Sequence, residues 1–146
     1  HLTYDYHSDH RTTANIVEAA AMVATLDPVP VEEKPLDVTP LLYHSSPLTL
    51  SDPLGSQINP PHFYVDISSV IETKKEMLSY HISQIDLMKH MHKINDFFGF
   101  VLEGNRNYGK MAGVGYAEVY WQHLGGGFQK DPQIQEDLAD FLIKKV

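Results

Sequence analysis

Proline placement constrains this chain more than any other feature. Eight of its nine prolines fall between Pro28 and Pro61, and the ninth is Pro132. A ring that fixes φ and removes a backbone donor bars a continuous helix from that stretch and pushes each preceding residue toward extended backbone. Residues 27–40, opened by Asp27-Pro28, therefore read as an extended excursion over the surface, and residues 45–61, with four prolines and a glycine, as a second long loop. Between and after them, "LLYHSS" and "HFYVDI" read as short strands.

On either side of this proline-rich region helices can run. Thr12 or Thr13 is placed to cap a helix whose apolar residues Ile16, Val17, Ala20, Val23 and Ala24 recur at helical spacing. Ser69-x-x-Glu72 has the form of a capping box, and Ile67, Val70, Ile71, Met77, Leu78, Ile82 and Ile85 supply the buried face of the next helix. Leu87, Met91, Ile94 and Phe98 predict a further helix ending near Gly99. Five glycines between 99 and 115 then break the periodicity, "YAEVYW" alternates as a strand, and Asp131-Pro132 opens a last amphipathic helix through Leu138, Phe141 and Leu142. Short apolar strands alternating with helices predict an α/β layering.

A chain of 146 residues is one domain's worth of sequence and can bury a sizeable core. Its net charge of -8, with no Lys/Arg cluster to offset it, opposes nucleic acid and anionic lipid. No run is long and apolar enough for a membrane span. The absence of cysteine leaves His, Asp and Glu as the strong metal ligands, so any metal would sit in an N/O site. The chain begins with His1 rather than Met, and its chemically richest stretch follows at once, which suggests a piece cut from a longer protein.

That stretch is "DYHSDHRTT", residues 5–13. His7 and His10 stand three apart at a loop-to-helix junction, so a first helical turn that includes them projects both to one side. Two imidazoles there suit a metal, or one metal ligand and an acid. Asp9 between them can orient a ring by hydrogen bonding, and Arg11 can neutralise an anionic group. The same residues also suit a solvated helix start. No Gly-x-Ser-x-Gly elbow is present, and the glycines at 109, 113 and 115 fit neither a P-loop nor a dinucleotide-binding turn.

Three blocks in order, "DYHSDHRTTANIVEAA", "VDISSVIETKKEMLSYHISQ" and "NYGKMAGVGYAEVY", resemble the PIG-L/LmbE-like family of zinc-dependent de-N-acetylases. The resemblance implies a Rossmann-like layered α/β sheet with flanking helices, of which residues 1–146 would be the C-terminal part, lacking the N-terminal strands. It implies removal of an N-acetyl group from an N-acetylglucosamine-type amino sugar or conjugate. His7-Ser8-Asp9-His10 resembles the family's His-Pro-Asp-His motif, with serine in place of proline. By that resemblance His10 is a zinc ligand, His7 answers the oxyanion or acts as general acid, and Asp9 supports them. The family's His-Pro-Asp-Asp-Glu motif, which carries the other ligands and the base, is absent. The implied partner is therefore the N-terminal half of the same protein, and a homo-oligomer is compatible with it. Arg11, Arg106 and Tyr108 are candidate sugar-lining residues, the latter two in a glycine-rich stretch read as a loop that could fold over a sugar. Lys74 and His81 read as structural. A non-catalytic sugar-binding or interaction domain, and a phosphoesterase using His7 or His10 with Arg11, are the rival readings.

Overall fold

The computed structural model describes residues 1–27, 32–47 and 50–143. Residues 28–31 of the predicted excursion, and Leu48 and Thr49 of the second loop, lie outside the described residues. In chain order the elements are α1 (Ser8–Val23), β1 (Tyr43–Ser45), β2 (Phe63–Asp66), α2 (Ile71–Ser79), α3 (Ile82–His92), α4 (Phe97–Ala112), β3 (Ala117–Gln122), α5 (Gln133–Asp137) and β4 (Leu142–Ile143). The class is mixed α/β, as the alternation of strands and helices predicts. The strands form one sheet in the order β1-β3-β2-β4. β1 runs antiparallel to β3, with His44 opposite Trp121, and β2 antiparallel to β4, with Val65 opposite Leu142. The chain divides into two compact units, residues 1–62 with 120–137, and residues 63–119 with the chain from Leu138 onward.

In the first unit α1 starts four residues before the predicted threonine cap. His7 is the N-cap, in extended backbone, and its Nδ1 accepts from the Asp9 amide at 3.2 Å. An imidazole here does what Ser, Thr, Asp or Asn usually does for the orphaned first amides. The buried side of α1 also differs from the expected one. Ala14 and Ala21 turn inward, whereas Ile16, Val17, Ala20 and Val23 are exposed. Proline-rich backbone has few N–H groups but many carbonyls, so its acceptors must be met from elsewhere. The Trp121 indole N–H does so, donating to the carbonyls of Asn59 (3.1 Å) and Pro60 (3.0 Å). Gln122, buried on β3, donates to the Asp131 carbonyl and accepts from Gln135, which in turn accepts from the Tyr43 hydroxyl. This chain of amides fastens α5.

In the second unit the predicted capping box does not form. Ser68 is engaged instead: its amide and hydroxyl both donate to Asp66 Oδ1 (2.9 and 2.6 Å), and its Oγ accepts from the Tyr116 amide at 3.0 Å. A 3-10 turn over Ser68–Val70 results, α2 begins without a side-chain cap, and Glu72 pairs with Lys75. The single helix expected over 67–85 breaks at Tyr80 and His81, leaving α2 and α3 separate. No glycine or proline marks that break. Ile67, Ile71 and Leu102 form the core, with Val65, Phe98 and Tyr116 packed against it.

Two further expectations are corrected here. Helix does not end at Gly99; α3 ends at Lys93 in left-handed backbone, and Asp96 caps α4 by accepting from the Gly99 amide at 2.8 Å. The glycine-rich stretch is therefore mostly helix, because Leu102, Asn105, Tyr108 and Gly109 still recur on one buried face. The helix predicted through Leu138, Phe141 and Leu142 stops at Asp137. The Asp66 amide donates to the Phe141 carbonyl at 2.7 Å, and Leu142–Ile143 pair along β2, so ladder hydrogen bonds at the sheet edge override the helical pattern.

Two glycines of α4 should respond oppositely to alanine. A Cβ on Gly109 would lie 2.6 Å from the Gly115 carbonyl oxygen and 2.8 Å from the Tyr116 amide, both backbone. Gly109→Ala should then cost about 1–3 kcal/mol, as overpacking does. A Cβ on Gly104 meets nothing within 4 Å. Gly104→Ala should stabilise by about 0.5–1 kcal/mol through helix propensity. Urea unfolding of both variants checks the signs.

Candidate metal centre

The first unit gathers its chemistry at the start of α1. Asp5 has no exposed surface, and its Oδ1 accepts from the His7 amide and faces His10 Nδ1, each at 2.9 Å. Its Oδ2 is buried with no hydrogen-bond partner among the described residues, 3.9 Å from His1 Nδ1. Arg11 Nη1 donates to the carbonyls of Asp5 (2.6 Å) and Tyr6 (3.1 Å), which fastens the incoming strand of chain to the first helical turn. The His1 ring stacks on His10 with centroids 4.0 Å apart and planes 6° apart. Tyr6 stands edge-on to both His7 and His10. Burial, and secondarily the Asp5 charge, raises the Tyr6 phenol above its ordinary value, so it stays protonated at neutral pH.

Spacing brings His7 and His10 together as expected, with ring centroids 5.0 Å apart. His1, Asp5 and His10 offer ligand atoms within 4.8 Å of one another, a set that can hold a metal ion. Two imidazoles and a carboxylate suit zinc and other divalent metals that take nitrogen and oxygen ligands. The orphaned Asp5 Oδ2 fits the same chemistry, since a buried carboxylate oxygen calls for a cation or a donor. Asp9 is on the first turn but exposed, accepting from the Ser8 hydroxyl at 3.2 Å. His1 and Asp5 were passed over in the sequence. The signal for Asp5 was its place five residues before His10, across the loop-to-helix junction and outside helical spacing.

Arg106 and Tyr108 belong to α4 in the second unit. Arg106 is held between Glu103 (2.8 Å) and the Tyr116 hydroxyl (3.0 Å), hydrogen bonds that raise it further above its ordinary value. Tyr108 is buried on the inner face of the helix. The second unit has its own cavity of about 380 Å³, lined by Ile67, Val70, Met77 and Leu78 with Lys74, His81 and Glu118. Lys74 Nζ donates to Glu118 Oε1 at 2.6 Å in its wall.

Behind the cluster, His44 is buried on β1. Its Nδ1 lies 2.7 Å from the His1 carbonyl, which can only accept, so Nδ1 carries the proton and Nε2 accepts from His123 Nδ1 at 3.1 Å. His123 Nε2 in turn faces Glu18 at 3.9 Å. Burial first, and His123 next, push His44 below the ordinary 6.5, with Glu18 opposing.

No protein-family model matches this chain, and no curated protein matches it.

The depressed His44 value sets a pH dependence. Between the folded and unfolded values the unfolded chain binds the extra proton, so this stabilisation is complete above about 6.5 and is lost as pH falls toward the folded value. Thermal melts from about pH 8 down to pH 5 should show falling stability, with a shallower slope in His44→Gln. An unchanged slope in the variant would remove His44 as the cause.

Proposed function

We propose that this chain is the C-terminal part of a zinc-dependent amide hydrolase of the PIG-L/LmbE-like type, removing an N-acetyl group from an N-acetylglucosamine-type sugar or conjugate. The observation that carries the reading is the pairing of His7, the N-cap of α1, with His10 on its first turn, and His10 is backed by the buried Asp5 carboxylate. Metal-bound histidines characteristically place such an acceptor on the ring nitrogen that does not bind the metal. The exposed apolar side of α1, with Ile16 at 63% and Val17 at 45% exposure, supports a further segment packing there. On this reading that segment carries the His-Pro-Asp-Asp-Glu motif and the first strands of a Rossmann-like layered sheet. The antiparallel ladders seen here would be its later strands, since otherwise parallel sheets often carry antiparallel edges.

Zinc, when bound, lowers the pKa of a coordinated water and polarises the acetyl carbonyl. His10 would hold it. His7, beside His10 with its Nδ1 engaged by the Asp9 amide, has Nε2 left to donate to an oxyanion or protonate a leaving amine. Asp9 keeps that ring oriented through its own backbone amide rather than its carboxylate. Arg11 fixes the loop under both histidines. Arg11 Nη1 is occupied by the Asp5 and Tyr6 carbonyls, which leaves it less able to clamp a phosphate and favours the amide substrate over a phosphoester. The same exposed face of α1 also suits a partner protein, and a non-catalytic interaction domain of this fold is the second reading.

Supplying a separate polypeptide with the upstream strands and the His-Pro-Asp-Asp-Glu loop should yield zinc-dependent acetate release from an N-acetylglucosamine conjugate. In that mixture His10→Gln should lose both metal and turnover. His7→Asn, which keeps a helix-capping side chain, should keep metal content but lower turnover by about 10²–10³-fold. Equal metal loss in the two variants would make His7 a ligand. A stable, zinc-loaded complex that releases no acetate would transfer the case to the interaction domain.

A further inference from the structure

We infer that Asp5 is the positioning residue of this centre, holding His10 in the one tautomer that leaves Nε2 free to bind a metal. The inference rests on the metal-dependent reading above and deepens it. A carboxylate oxygen accepts, so the 2.9 Å contact between Asp5 Oδ1 and His10 Nδ1 puts the imidazole proton on Nδ1. The lone pair of the neutral ring then sits on Nε2, the nitrogen directed away from Asp5.

Each group that could loosen this arrangement is tied down. Oδ1 also accepts from the His7 amide at 2.9 Å, so two donors converge on one oxygen and resist rotation of the carboxylate. Arg11 holds two consecutive main-chain carbonyls, those of Asp5 and Tyr6. The His10 ring is held flat against His1 and edge-on to Tyr6, with centroids 4.0 and 5.6 Å away. Among the described residues Oδ2 has no hydrogen-bond partner and lies 3.9 Å from His1 Nδ1, so the carboxylate's one short ring contact falls on His10. A carboxylate behind a histidine makes that histidine a more basic ligand and fixes its direction. To bind a metal through Oδ1, Asp5 would have to release both donors, and binding through Oδ2, with His1 and His10, is the competing arrangement that the second readout separates. Asp9 has the position between the two histidines in sequence, but its carboxylate faces Ser8.

The first readout needs no metal and no variant. Long-range ¹H–¹⁵N spectra of the 146-residue chain, with His10 assigned by the signal lost in His10→Gln, should show His10 protonated on Nδ1. Protonation on Nε2 would overturn the inference whatever the chain catalyses. The second readout is titration with cobalt(II), followed by its visible bands. Asp5→Asn keeps the shape and an acceptor but removes the charge, and should weaken cobalt binding about 10–100-fold while near-UV circular dichroism stays that of the parent. Cobalt binding unchanged in Asp5→Asn would overturn it, as would carbonyl ¹³C broadening that places the metal on the Asp5 carboxylate. Acetate release by the reconstituted enzyme is scored apart, so a correct tautomer with no deacetylation defeats the substrate reading and leaves the positioning role standing.

Discussion

A carboxylate stripped of water is strongly destabilising unless donors replace the water, and Asp5 is stripped completely. Its replacement donors are the backbone of His7 and the ring of His10, both in or beside the first turn of α1. The helix can therefore only start where it does. A start at Thr12 or Thr13 would leave residues 8–11 outside the helical turn, His10 displaced, and a buried charge unpaired. The local rule that ranks threonine above histidine as a cap is worth about 1 kcal/mol, less than leaving a charged group unsatisfied. The buried charge decides the boundary, and the boundary decides which side chains meet.

β3 makes a comparable demand on the second unit. The Ala117 carbonyl accepts from the buried Asn105 amide at 2.9 Å, and the turn before the strand lies against Gly109 closely enough to exclude a Cβ. Glycine inside a helix usually weakens it by about 1 kcal/mol. Here the absence of a side chain lets helix and strand backbones touch, which offsets that weakness. Gly113, in left-handed backbone at φ 85°, then ends α4. Three glycines that look alike in sequence thus have separate roles: Gly109 for contact, Gly113 for termination, and Gly104 with neither demand.

Those particulars explain what was legible. Strands β1, β2 and β3 were readable because alternation and bounding prolines act locally, and the mixed α/β class follows from them. The pairing of His7 with His10 was readable because an N-cap and the first turn that follows it are close in sequence. What escaped depends on partners distant in sequence. The Ser69–Glu72 capping box gives way to a 3-10 turn that Ser68, bound to Tyr116 and Asp66, opens, and Leu142 leaves its helical pattern because β2 offers a ladder. Asp5 escaped for a subtler reason. Its partners are near in sequence, but the contact crosses from an irregular segment into a helix, where neither period applies.

The exposed face of α1 is the other departure, and it bears on function. Sequence periodicity picks out the most hydrophobic side of a helix, on the premise that this side is covered. In α1 the covered side is instead the one with small residues, Ala14 and Ala21, while Ile16, Val17 and Val23 face outward. Premise and observation agree again if something outside these residues packs on that side. At the head of the same helix His1, Asp5 and His10 can hold a metal ion, and a tetrahedral metal there would still have a position open to a further ligand. An exposed apolar face and a metal set with an open position lie on one helix, so a single partner packed on that face could serve both, whereas a free-standing binding module would account only for the first.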